Sequence, residues 1–269
     1  MTEFGVVSVI RQLITIFGQM MLTSEPLRHP TGYRTDWHVH STGQLCRITS
    51  GLLIIESDKG RWVVPREHIG WIPAELRHAA LSESAIEGQS LYLDSSLCTA
   101  LPDQPSVFEP EMLSEALFMR LCQASGKADM RWVSMLIDEL AHAKQDLYRL
   151  PMPAHPRLLN IARTLLNAVD DAQSVEAYAR QCGMSVRTFN RQFKAGTGMN
   201  FVNWRQLARV IRAMEWLEEG KPVGWIALSC GYNSVSAFIE VFRTYTGKTP
   251  GQWGVTTTPS AQTSRALPR

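Results

Sequence analysis

Two groups of side chains in this chain have types and spacings that could do chemistry. The first is "HVHSTGQ" (His38–Gln44), joined further along by His78. His38 and His40 are two residues apart, so on an extended segment both rings point to one face. With His78 as a third imidazole, the set suffices for a zinc or iron ion with a coordination position left open. The same rings, with Gln44, could instead be polar lining of an apolar pocket or hydrogen-bonded barrel residues. The second group lies in "SVRTFNRQFKAG" (Ser185–Gly196). Phe189 and Phe193 are one helical turn apart and predict a buried stripe. Arg187, Asn190, Arg191 and Lys194 then share the outward face at i, i+3, i+4 and i+7. Arginine pairs with guanine, asparagine with adenine, and lysine suits phosphate. A solvated charged face is the plain alternative, weakened by three cations and no acid.

These side chains need elements to hold them. Residues 33–95 read as β: "QLCRI", "GLLIIES", "GRWVVP" and "HIGWIP" are short runs separated by Gly, Asp and Pro, a spacing that suits a small sandwich or barrel. "SDKG" (Ser57–Gly60) reads as a hairpin turn. From Glu109 the period changes to that of amphipathic helices. In "ADMRWVSMLIDELAHAKQDLY" the residues Met130, Val133, Ile137, Leu140 and Leu147 fall on one stripe. "LPMPAHP" (Leu150–Pro156) is proline-rich, stiff and not helical, and marks a domain boundary. The expected division is an N-terminal extension over 1–28, a barrel with its helices over 29–150, a linker over 151–156, a helical domain over 157–253, and a polar, disordered tail over 254–269.

The helical half repeats itself. "VEAYARQCGMSVRTFNRQFKAGTG" (Val175–Gly198) aligns with "VGWIALSCGYNSVSAFIEVFRTYTG" (Val223–Gly247), the second copy carrying one extra residue after its Cys-Gly. In each copy a small alanine (Ala179, Ala227) lets a second helix cross closely. Cys-Gly ends the first helix, and Ser185 or Ser234 caps the next. This predicts two helix-turn-helix units, each with its second helix available to a major groove. Between them "NFVNWRQLARVIRAMEWLEE" (Asn200–Glu219) predicts one helix roughly 30 Å long at 1.5 Å per residue. Successive major grooves on one side of a duplex lie about 34 Å apart.

On these residues Arg157–Trp253 resembles the DNA-binding domain of AraC/XylS transcription regulators, including the closing "F-R-x-Y-x-G-x-x-P-x-x-W". The resemblance implies seven helices, sequence-specific promoter binding, and base reading by Arg187, Asn190 and Arg191 and by Ser236, Ile239 and Glu240, with Arg243 beside them. Most such second units carry a basic or polar residue at the position of Glu240. Glu240 could accept from a cytosine amine, or pair with Arg243 at i, i+3. "GYRTDWHVHSTGQLCRITSG" (Gly32–Gly51) fits the first cupin motif, with Gln44 in place of its carboxylate. "PAELRH" (Pro73–His78) resembles the core of the second, with Glu75 where a glycine is usual. Cupins are small barrels in which these side chains converge. The expected effector pocket comprises Trp37, His38, His40, Gln44, Arg47 and His78, with Trp62 and Trp71 near it and Arg47 available to an anionic effector. With the carboxylate gone, no cofactor is expected. A divalent metal on His38, His40 and His78 is the alternative. The helices over 109–122 and 129–148 resemble the family's dimerising helices, the Met130–Leu147 stripe being the candidate interface unless it packs on its own barrel.

The charge distribution agrees with two jobs. The chain has 269 residues and net charge +2. Residues 1–154 carry −5 and residues 155–253 carry +5, so the basic half faces an anionic partner. Five cysteines with no CxxC spacing predict reduced thiols and a cytoplasmic protein. Phe4–Leu22 is apolar, but Glu3, Arg11 and the lack of an A-x-A site fit neither a leader nor a span. It reads as an amphipathic extension or as translation ahead of a start at Met20 or Met21. The fold class expected is a two-domain α+β chain: a cupin-like barrel with dimerisation helices, then an all-α domain with two helix-turn-helix units. The function expected is a non-enzymatic, effector-modulated regulator, activator or repressor, that binds double-stranded promoter DNA as a homodimer and contacts RNA polymerase. A metal-dependent cupin enzyme with an appended helical domain is the alternative. A nucleoid-type architectural protein would leave the pocket unexplained.

Overall fold

The computed structural model describes residues 22–124, 129–145 and 148–254. The segment before Leu22, the tail after Gly254 and Leu147 lie outside them. The chain divides into two compact units between Arg149 and Leu150. Strands β1 (Thr23–His29) to β9 (Ser106–Phe108) and helices α1 (Met112–Cys122) and α2 (Met130–His142) build the first unit. One antiparallel sheet has the order β1-β8-β3-β6-β9 and the other carries β5-β4-β7-β2. Here β2 is Tyr33–Arg34, β3 Thr42–Ser50, β4 Leu52–Ser57, β5 Gly60–Pro65, β6 Ile69–Ile72, β7 His78–Ser82 and β8 Ile86–Asp94. Ser57 pairs with Gly60 across the expected hairpin turn.

The strands sort side chains by parity. On β3, Cys46 and Ile48 pack between the sheets with Leu53, Ile55, Trp62, Val64, Ile72, Ile86 and Val107. The intervening Leu45 packs on the outside of the same sheet with Trp71, Leu91, Leu93, Phe108 and the buried faces of α1 and α2. Period-two alternation therefore serves two cores from one strand. Arg47 shares the outer face with Leu45. Its Nε donates to Glu115 on α1 at 2.7 Å and its guanidinium also donates to the Ile48 carbonyl.

Three boundaries and one expected interface differ from those read in the sequence. Residues 23–29 are no extension: β1 pairs with β8 from Thr23↔Tyr92 to His29↔Ile86. Its sequence, TSEPLRH, has little hydrophobic period because it is an edge strand, held by its backbone and tolerant of Pro26. Helix α2 stops at His142 rather than near Tyr148. The chain there turns extended, Gln145 bridges Phe108 and Glu109 N–H donates to the Lys144 carbonyl at 3.3 Å. The apolar stripe of α2 is not a free interface, because Val133, Leu136, Ile137 and Leu140 are buried on their own barrel, with Met130 partly so. The proline-rich stretch is no free linker either. Leu150, Met152 and Pro153 are buried, and the Trp204 indole N–H donates to the Pro151 carbonyl at 2.7 Å.

The second unit holds seven helices among the described residues: α3 (Pro156–Asn167), α4 (Val175–Gln181), α5 (Val186–Thr197), α6 (Phe201–Glu218), α7 (Val223–Ser229), α8 (Val235–Thr246) and α9 (Pro250–Gly254). Pro156 opens α3, where a missing N–H costs nothing.

Arg47 is almost wholly buried and Glu115 one-third exposed. Glu115→Ala strands the guanidinium and is expected to cost about 1–3 kcal/mol, discounted for that exposure. Arg47→Met with Glu115→Ala should recover most of the loss in urea unfolding, and equal loss in both variants would show that packing, not charge, holds α1.

Candidate functional site

A cavity of about 410 Å³ opens between the two sheets, lined by Glu25, Leu27, His29, Tyr33, Thr35, His38, Gln44, Leu53, Ile72, His78, Ala80, Ser90 and Tyr92 among others. It is large enough for a small ligand. Gln44 enters it from the inner face of β3 and donates to Ser90 Oγ at 3.0 Å. His29 stacks on Tyr33 with ring centroids 3.6 Å apart, and burial holds its imidazole below the usual pKa. No lysine or arginine lines this space among the described residues.

Of the expected pocket residues, the structure brings His38, Gln44 and His78 to the cavity wall. His40 stands beside them, its ring 5.0 Å from His78 and 6.0 Å from Tyr92. The other four lie elsewhere. Arg47 points outward to Glu115, so it cannot meet an anion in the cavity. Trp71 lies on the same outer face and donates to the Pro102 carbonyl at 2.8 Å. Trp62 is inside the barrel but buried in its packed core, with the Arg149 guanidinium 5.3 Å from its ring. Trp37 is on the surface beneath Arg77, 4.9 Å away. Strand parity, counted from Gln44, would have turned Arg47 away. Tyr92, Ser90, His29 and Glu25 were missed because their strands show no motif. Register gives two of them, since Gln44 pairs with Tyr92 and Cys46 with Ser90.

His38 and His40 lie outside any regular strand and meet His78 at the start of β7. His38 and His78 exchange both backbone hydrogen bonds, at 2.9 and 3.0 Å, while Trp37 and Val39 between and beside them face solvent. Glu75 N–H donates to the His40 carbonyl at 2.9 Å. Glu75 has φ +60°, the left-handed conformation that the usual glycine would take freely. The ring centroids are 4.3 Å (His38–His78) and 6.1 Å (His38–His40) apart.

In the second unit both repeats fold alike. Gly183 (φ +67°) and Gly231 (φ +75°) make the two turns, and Ser185 and Ser234 accept from the Thr188 and Ala237 N–H groups, each at 3.2 Å. Phe189 and Phe193 are buried against Phe201, and Phe238 and Phe242 against Tyr232 and Trp253. This leaves Arg187, Arg191 and Lys194 exposed on α5, with Asn190 half-buried beside them. On α8, Ser236, Ile239, Glu240, Arg243 and Thr244 line a shallow concave face. Glu240 and Arg243 share this face, one helical turn apart. Much of the basic surplus is spent inside the unit. Arg157 donates to the Cys182 carbonyl, Arg205 to those of Gln173 and Asp171, Arg209 to those of Val169 and Asp171, and Arg212 pairs with Glu215. All five cysteines are free thiols, and burial pushes Cys46, Cys122 and Cys230 up to about 12.

Comparison with known proteins adds three findings. Residues 27–182 match the family model of an AraC-like ligand binding domain and residues 178–254 that of a helix-turn-helix domain. The transcriptional regulator NimR of Escherichia coli K12 is 28% identical over 86% of this chain and 87% of its own, and the regulator RipA of Corynebacterium glutamicum is 34% identical over 37% of this chain and 30% of its own. Among solved structures, ToxT from Vibrio cholerae covers 87% of this chain and 97% of its own at 11% identity and TM-score 0.36.

Glu75→Gly should keep the fold and raise its stability by up to about 1 kcal/mol, because a left-handed side chain is strained. Glu75→Val should lower it, and the same thermal midpoint for both would remove strain from this turn.

Proposed function

This chain belongs to the AraC family of transcription regulators, and from that premise we propose how its two units divide the work. The C-terminal unit reads promoter DNA through α5 and α8, and the N-terminal barrel binds the small-molecule effector in the cavity that Gln44, His38, His78, Tyr92 and Ser90 line. The observation that carries this reading is the contrast among cations. Arg157, Arg205, Arg209 and Arg212 are consumed by carbonyls and by Glu215, whereas Arg187, Arg191 and Lys194 stand exposed on one face of α5. A charged face with no internal use is what a helix entering a major groove requires. Helix α6, 18 residues long, spans about 27 Å and suits two readers in adjacent grooves.

The two readers are unequal. Asn190, Arg191 and Arg187 supply base donors and acceptors, and Lys194 a phosphate contact. On α8 Glu240 accepts from a cytosine amine, Ser236 and Ile239 fill the groove beside it, and Arg243 meets the backbone. The chain acts as a regulator rather than an enzyme, in the cytoplasm, where its free thiols stay reduced. No helix among the described residues is long and apolar enough to cross a membrane. A homodimer belongs to this reading. It uses the surface of α1 and α2 away from the barrel, where Met112, Leu113 and Met135 are exposed. RNA polymerase is the further partner an activator would need.

Arg191→Ala is expected to cost about 1–3 kcal/mol in promoter binding and to relax preference at one base pair, whereas Lys194→Ala reduces the salt slope by about one. Equal weakening on every sequence by Arg191→Ala would rule out base reading. Glu240→Ala should lose discrimination at a single C·G pair, and uniformly tighter binding would show that the acid reads nothing. Ala80→Phe narrows the cavity and should abolish effector response while footprints of the unliganded protein persist; a normal response would place the effector elsewhere.

A further inference from the structure

We infer that His38, His40 and His78 bind one borderline divalent transition-metal ion, of the Zn²⁺, Ni²⁺ or Co²⁺ class, at the wall of the barrel cavity. The inference deepens the reading of the barrel as the ligand-binding unit and rests on it. The ligand atoms of the three residues lie within 4.8 Å of one another. On a tetrahedral ion at about 2.1 Å their nitrogens would sit roughly 3.4 Å apart, a closure that small ring rotations supply.

A second observation is independent of proximity. The Nδ1 atoms of His38, His40 and His78 lie on the backbone carbonyls of Asp36, Thr42 and Leu76, at 2.8, 2.6 and 2.9 Å. A carbonyl can only accept, so each Nδ1 carries a proton, and in the neutral ring the lone pair is then on Nε2, the atom a metal would take. A carbonyl on the distal nitrogen is how proteins orient metal-bound imidazoles. All three rings are set this way. Their backbones are also tied, His38 to His78 in a two-bond bridge and His40 to Glu75.

Charge decides which ion fits. Among the described residues no guanidinium or ammonium lines the cavity to repel a cation, and the Glu25 carboxylate is on its wall. Gln44 offers a neutral amide, already donating to Ser90, where a carboxylate would add charge. Three imidazoles match Mg²⁺ and Ca²⁺ poorly, since those ions need several oxygen ligands, and affinity should follow the order imidazole sites show, with Ni²⁺ and Zn²⁺ above Co²⁺ and Mn²⁺ last. Bound there, the ion would act as a Lewis acid with a position open to a nitrogen or oxygen donor of an effector.

The test uses the untagged full chain, stripped with chelator, dialysed against Zn²⁺ or Co²⁺ and analysed for metal by mass spectrometry. One equivalent per chain is expected, with visible Co²⁺ absorption of low-symmetry type and no competition from excess Mg²⁺. His38→Gln with His40→Gln, both at half-buried positions, should keep the circular dichroism and lose the ion at least tenfold. Gln44→Glu should tighten binding about tenfold by adding an anionic ligand, a gain that misfolding cannot imitate. Less than a tenth of an equivalent, or retention unchanged in the double variant, overturns the inference. Footprinting of the same stripped protein runs alongside. A chain that footprints DNA but holds no ion loses only the metal site. One that holds the ion and footprints no promoter keeps the site and loses the regulatory reading.

Discussion

The alternation of side chains along β3 is the constraint on which the first unit depends. Gln44, Cys46 and Ile48 face inward, and Leu45 and Arg47 face outward. One strand thickness therefore separates the cavity from the helices. A shift of one residue would place Arg47 in the cavity and Gln44 beneath α1, so neither core would survive. Register is held from both sides, by β6 and β8. The Arg47–Glu115 pair then fastens α1 to the outer face without sharing in ligand chemistry.

The second unit rests on repetition of a small device: a glycine at positive φ followed by a serine cap. Each copy turns the chain, starts a helix and buries two phenylalanines against an aromatic partner. The opposite face is then free to vary. That freedom explains how α5 can carry three cations while α8 carries an acid on the same scaffold. The joining helix α6 does more than space the copies, because Arg205 and Arg209 on it hold the carbonyls of the loop before α4.

The helical half was legible in the sequence because its signals are local. Cys-Gly, the serine caps and the phenylalanine spacing each act within a few residues, and the structure follows them closely. The barrel was legible in outline. His38, Gln44 and His78 were found through a motif, whereas Tyr92 and Ser90 enter the cavity through cross-strand register, a non-local fact that no short window contains. Trp62 and Trp71 misled because a large aromatic serves a packed core as well as a pocket wall. Edge strand β1 went unseen because backbone pairing, not hydrophobic period, holds it. The stripe on α2 was visible, but its period could not say which surface it would cover.

The unlikeness of α5 and α8 has a consequence for orientation. One helix with Arg187, Asn190, Arg191 and Lys194, followed by one with Ser236, Ile239, Glu240 and Arg243, has a head and a tail. On the reading proposed above, a single protomer would set chemically different helices against the two ends of its site.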